Sequence, residues 1–203
     1  MRLLIATHNR GKLSEYQKMF ADLPFELVTL DDVGIRDDVA EEGATFAENA
    51  RAKAVGYARR SGLLTLADDS GLQVDALGGE PGVHSKRYAG EAGGDAERIA
   101  FLLDRLRAVA PGKRAARFRC AIAIATPRGE VYECAGACEG EIIFAPRGAH
   151  GFGYDPVFYI PERGVTMAEL PTEEKNKISH RARAAAQARH ILEQLTGEGK
   201  SQK

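Results

Sequence analysis

Along the first third of the chain the apolar positions switch between a period of two and a period of 3.6, and each switch marks an element. Residues 2–7 (RLLIAT) are a buried strand. Residues 12–22 place Leu13, Tyr16, Phe20 and Leu23 on one helical stripe, and residues 27–30 form a second strand. A helix follows over 46–60, where Thr45 and Glu48 make a capping-box pattern at its start and Gly62 stops it. Residues 63–67 form a third strand, which is expected to end on two adjacent carboxylates, Asp68 and Asp69.

A Gly-rich stretch over 68–94 comes next, with a short strand at 72–77 inside it; a connection this long suggests function. Ile99, Leu102, Leu103 and Leu106 predict a helix over 96–108, broken by Pro111-Gly112. Residues 118–125 and 131–143 flank Pro127-Arg128-Gly129 and read as a hairpin. A short strand at 156–160 and a helix over 180–195 complete the pattern, and 197–203 reads as a polar tail. The fold class is α/β with a mixed sheet, because the long hairpin interrupts a regular βα alternation. There is no internal repeat or linker, so residues 1–196 form one domain.

Charge narrows the function classes. The chain has 28 Lys and Arg against 29 Asp and Glu, a formal charge of -1, which argues against a general binder of nucleic acid or anionic membrane. No apolar run reaches the ~18 residues of a membrane helix. The start lacks a secretory pattern, so a cytoplasmic enzyme is expected. Cys120, Cys134 and Cys138 are an odd set without zinc-like spacing, expected to be free thiols.

Cations stand where helices disfavour them. Arg10 and Lys12 fall at the start of the first helix, and His180 and Arg181 at the start of the last, behind Ser179 as N-cap. Helix starts loaded this way suit a polyanion. Lys53 points the same way as Phe46 within the buried stripe of the middle helix, so it either snorkels or lines a polar pocket near Asp69. No phosphate loop or dinucleotide fingerprint is present, so dispersed cations must hold the anion. A polyphosphate beside Asp68 and Asp69 calls for Mg²⁺, which takes one or two carboxylates plus phosphate oxygens and waters. Glu41 and Glu42 could reach the same place. The bland alternative is that Asp68 or Asp69 caps a turn.

Four blocks then identify a resemblance: THNRGK at 7–12, EEGATFAENARAKA at 41–54, ADDSGLQVDALGGEPGVHSKRYAG at 67–90, and FGYDPVF with EEKNKISHR at 152–158 and 173–181. Their order and spacing resemble the inosine/xanthosine triphosphate pyrophosphatases over nearly the whole chain. The resemblance implies an elongated mixed sheet flanked by helices, two lobes with a nucleotide cleft between them, and a homodimer. It implies Mg²⁺-dependent hydrolysis of ITP, dITP and XTP to the nucleoside monophosphate and pyrophosphate. By motif position, Thr7, His8, Asn9, Arg10, Gly11 and Lys12 would hold the triphosphate, with Lys53 nearby. Asp69 would be general base and metal carboxylate, Glu41 (with Glu42 as rival) a metal ligand, and Ser70 a substrate contact. Phe152, Gly153, Tyr154, Asp155, Lys175, His180 and Arg181 would hold the base and sugar. There Phe152 or Tyr154 would stack, Asp155 would accept, and Lys175, His180 and Arg181 would donate to O6. Three rivals remain on the sequence alone. One is an aspartyl-phosphate phosphatase, which wants an Asp-x-Asp pattern missing here. The second is a nucleotide-binding sensor without turnover. The third is a purely structural globule, which must treat Lys53 and the helix-start cations as coincidences.

Overall fold

A computed structural model of the chain describes residues 1–90 and 92–198. Seven strands, β1 (Arg2–Ile5), β2 (Glu26–Thr29), β3 (Leu64–Val74), β4 (Ala115–Ala125), β5 (Val131–Ile142), β6 (Phe158–Ile160) and β7 (Val165–Thr166), form one sheet in the order β2-β1-β3-β4-β5-β6-β7. The sheet is mixed: β1 pairs in parallel with β2 and β3, whereas β6 pairs antiparallel with β5 and β7. Among the described residues five α-helices accompany it: α1 (Arg10–Met19), α2 (Phe46–Ser61), α3 (Asp95–Arg105), α4 (Thr172–Ile178) and α5 (His180–Glu198).

The chain divides into two compact units. The first comprises Met1–Asp69, Cys120–Gly136 and the segment from Arg181 onward. Its core joins Leu3 and Ile5 of β1, Leu64 and Leu66 of β3, and Cys120, Ile122 and Ile124 of β4 to Tyr16 and Phe20 of α1 and Ala184, Ala185, Ala188 and Leu192 of α5. The predicted capping box of α2 is present, and Gly62 ends that helix in the left-handed region at φ 68°. The second unit, Ser70–Arg119 with Ala137–His180, has its own core around Leu72, Val74, Leu102, Leu106, Phe118, Tyr154, Phe158 and Met167.

Besides the unpredicted β7 and element ends shifted by a few residues, the structure differs from the sequence reading in three larger ways. First, β3 does not stop at the aspartates but runs on to Val74, so Asp68 and Asp69 lie in mid-strand. A strand tolerates buried carboxylates when cations neutralise them, and both sides of β3 supply cations here. Much of the expected loop over 68–94 is thereby strand and two 3₁₀ turns, Asp75–Leu77 and Gly82–Arg87. Second, α4 carries a single strongly apolar residue, Ile178, and so shows no stripe in the sequence. Third, α5 continues through Gly197 to Glu198, while residues 199–203 of the expected tail lie outside the described residues.

Candidate active site

Strand alternation separates the two aspartates. Successive side chains leave a strand on opposite faces. Asp68 therefore shares a face with Leu64 and Leu66, toward α1 and α5, and Asp69 points toward α2. On its side, Asp68 Oδ2 meets Lys12 Nζ at 2.9 Å and the Arg181 guanidinium at 3.5 Å. On the other, Asn49 Nδ2 of α2 donates to Asp69 Oδ2 at 2.9 Å.

The environments push the pair apart electrostatically. Burial alone would raise Asp68, but Lys12, Arg181 and Lys53 outweigh it and hold the carboxyl well below the usual range. For Asp69 burial dominates, and its pKa is raised despite Lys53, the Asn49 hydrogen bond and Lys12. Two carboxylates with opposed shifts in one site divide the labour between a fixed charge and a group able to take a proton.

Lys53 is not snorkelling. It is buried, and its Nζ meets Glu41 Oε1 at 2.9 Å. Burial would lower its pKa, but Asp68, Asp69 and Glu41 together raise it, so the ammonium is retained. Glu41 is thus the member of the Glu41-Glu42 pair in contact with Lys53. The acidic segment is pinned to α2 at several points. Gly43 N donates to Asn49 Oδ1 at 2.8 Å, and Val39 N to Tyr57 Oη at 3.2 Å. A Cβ on Gly43 would stand 2.7 Å from Asn49 Oδ1, so the close approach requires glycine.

At the start of α1, Asn9 caps through its side chain, accepting from Lys12 N at 3.0 Å, while Asn9 N donates to Thr7 Oγ1 at 3.1 Å. The first turn carries no acid. Arg10 is exposed, Gly11 half-buried, and His8 lies 3.5 Å from Asp38. Thr7 and Asn9 thus shape the backbone entry, while Lys12 faces Asp68. Ser70 follows Asp69 in β3 and is half-buried.

The second unit holds another set. Asp155 Oδ2 accepts from Lys175 Nζ at 2.6 Å and from Phe152 N at 2.9 Å. The Lys175 ammonium sits over the Phe152 ring, 4.6 Å from its centroid. His180 stacks on Phe118 with centroids 4.8 Å apart. Gly151, at φ +78°, lets this cluster close; a Cβ there would fall 2.0 Å from Asp155 Oδ2.

Three of the expected ligand contacts also bond or pack within the protein. Arg181 is 1% exposed and bonds Glu15 Oε2 at 2.6 Å, with Tyr16 beneath its guanidinium. In this structure its guanidinium engages Glu15 and Asp68. Tyr154 belongs to the second core, and its hydroxyl donates to Ser85 O at 2.9 Å, so Phe152 is the ring left to stack. Asp155 is buried and orients Lys175 and the Phe152 amide.

Sequence reasoning missed Glu15, and it gave no role to Asn49, although Asn49 falls with Lys53 on or beside the buried stripe of α2. Glu15 lies three residues beyond Lys12 and Asn49 four before Lys53, so each is one helical turn from a cation already singled out, which was the available signal. The three cysteines are buried and free, as expected, and burial pushes the Cys120 thiol up to about 12, which leaves it inert.

The first unit's oxygen donors suit a hard divalent ion. Among the described residues no three metal-ligating side chains form a closed cage. Two carboxylates, Glu41 and Asp69, fit an ion that draws its other ligands from phosphate and water.

Fold and site together define an α/β protein with paired carboxylates, dispersed lysines and a separate aromatic-cationic cluster. The Ham1 family profile matches residues 3–191, and the chain belongs to that family. It is 53% identical to the dITP/XTP pyrophosphatase of Geobacillus kaustophilus over 96% of both chains. It is 51% identical to that of Geobacter sulfurreducens, over 91% of this chain and 93% of the relative. A HAM1 protein from Coxiella burnetii superimposes with a TM-score of 0.87 at 43% identity, covering 96% of this chain and 99% of the other.

Proposed function

We propose that the protein hydrolyses non-standard purine nucleoside triphosphates (ITP, dITP and XTP) to the monophosphate and pyrophosphate, as a Mg²⁺-dependent homodimer in the cytoplasm. The relatives' names support the substrate class. The observation that carries the chemistry is the divided aspartate pair, with Asp69 raised beside Lys53 and Glu41.

In this reading Glu41 and Asp69 would hold Mg²⁺, which would supply charge neutralisation on the phosphate oxygens. Asp69 takes the proton from the attacking water at its carboxylate oxygen. Asn49 keeps that carboxylate oriented. Lys53 and Lys12 bind the triphosphate, and the free amides at the start of α1 add donors beside them. Asp68 stays ionised and fixes Lys12. Phe152 stacks on the base, and Lys175 and His180 donate to its 6-oxo group. Adenine carries an amino donor at that position, so it would set donor against donor.

The test is kcat/KM across ITP, XTP, GTP and ATP. The oxo-purines ITP and XTP should exceed ATP by at least ~10²-fold, since sites built on one hydrogen-bond pattern reject its mismatch strongly. Comparable values for ATP and ITP would refute the base assignment.

Lys53→Met separates grip from packing, because Met keeps the aliphatic stem. The ammonium engages carboxylates rather than solvent, so kcat/KM on ITP should fall at least ~10-fold, the worth of a charge-assisted hydrogen bond. Steady-state kinetics showing less than a twofold loss would remove Lys53 from the phosphate-binding set.

A further inference from the structure

We infer that Asp95 is a positioning residue for base recognition: held by Arg98, its carboxylate pins the Gly153 amide and thereby fixes the Phe152 ring. The inference rests on the reading of Phe152 as the stacking face.

The observations lie within the second unit. Two consecutive backbone amides in the Phe152 segment each end on a carboxylate. Phe152 N donates to Asp155 Oδ2 at 2.9 Å, a local bond three residues long. Gly153 N donates to Asp95 Oδ2 at 2.6 Å, across 58 residues of chain. The other Asp95 oxygen accepts from Arg98 Nη2. The same guanidinium donates through Nη1 to Lys86 O at 2.8 Å and Gly93 O at 2.6 Å. Arg98 therefore ties the first turn of α3 to the segment before it, and Asp95 passes that restraint to Gly153. On the far side, the Tyr154 hydroxyl is anchored to Ser85 O.

Gly153 needs such a restraint. Its φ is +64°, and a Cβ there would meet nothing within 4 Å, so no neighbouring group stands against that side of the residue. A glycine has the widest choice of backbone conformations. Its amide bond to Asp95 removes that choice one residue from the ring that would receive the purine. An acid in the first turn of a helix is also favoured by the helix dipole. That simpler role predicts a loss of stability alone, without any change in base selection.

The two roles separate in a kinetic cycle. kcat and KM for ITP and ATP are measured in wild type, Asp95→Ala, Asp95→Asn, Phe152→Ala and the Asp95→Ala/Phe152→Ala double variant, alongside Tm. Asp95→Ala should raise KM for ITP by about 5- to 10-fold, a fraction of the worth of one charge-assisted hydrogen bond because the bond acts on the ring only through the backbone, with kcat changed less than about twofold. The ITP-over-ATP preference should drop with it. Asp95→Asn keeps an acceptor for Gly153 and should recover most of the loss. In the Phe152→Ala background the same change should add less than about twofold, because coupled residues are non-additive.

Binding without turnover gives an independent reading. The chain contains no Trp, so Phe152→Trp creates a lone indole. ITP titrated in the absence of divalent ions should quench it, with a Kd raised by Asp95→Ala in the same proportion as KM. Equal fold-losses in both Phe152 backgrounds would overturn the inference. So would an unchanged KM with lowered Tm, or an Asn variant as impaired as Ala. Wild-type turnover of ITP judges the function, and the variant-to-wild-type ratios judge Asp95, so the two failures are distinguishable.

Discussion

Asp69→Asn should leave the fold intact and lower kcat on ITP by about 10²–10⁴-fold, the usual worth of a positioned general base. Asn is nearly isosteric and can still accept from Asn49, so the α2 contact survives. What disappears is the ability to take a proton and the negative charge offered to a divalent ion. Affinity for ITP should change far less than kcat, because the proposed phosphate ligands are Lys12, Lys53 and backbone amides. Retention of more than about a tenth of kcat, under ~1.4 kcal/mol of barrier, would remove Asp69 from the chemistry. Asp68→Asn makes an informative contrast. Its carboxylate is wholly buried between Lys12 and Arg181, so its loss should appear first as instability.

The second large effect concerns Arg181. Arg181→Met fills similar volume but leaves Glu15 and Asp68 buried without their shared cation. Breaking one side of a buried ion pair costs about 3–5 kcal/mol, which in a chain of this size lowers Tm by roughly 10 °C. The deficit should depend on pH. Asp68 is held below its ordinary pKa, so its pairing contributes fully above the unfolded value of ~3.9 and is lost as pH falls toward the folded value. The gap between wild type and Arg181→Met should therefore be full at pH 7 and narrow below about pH 4. Thermal melts across that range decide the matter. An unchanged Tm at neutral pH would return Arg181 to a role at the ligand.

Periodicity made most of the fold legible. The α2 boundaries and both of its caps were readable because Thr45, Glu48 and Gly62 are local signals. The continuation of β3 through Asp68 and Asp69 was not, because local pattern treats paired charges as a strand end. Only the cations brought from α1, α2 and α5 make them admissible inside a strand. The direction of Arg181 was equally hidden: its place at a helix start was visible, but its burial against Glu15 joins residues 166 apart in sequence. For Lys53 the pattern left snorkelling and a polar pocket near Asp69 both open, and only the contact with Glu41, twelve residues away, decides between them. Tyr154 shows the limit of motif reasoning. Its neighbours in FGYD suggested a ligand contact, whereas its ring fills the second core and its hydroxyl reaches Ser85.

The central claim is cleavage of an oxo-purine triphosphate between its α and β phosphates. The most direct measurement is a time-resolved ³¹P NMR analysis of ITP incubated with the protein and Mg²⁺. IMP and pyrophosphate should appear together in equal amounts from the earliest points, with no IDP and no orthophosphate, and Asp69→Asn should abolish both signals. Orthophosphate with IDP, or bound ITP that persists unhydrolysed, would contradict the account.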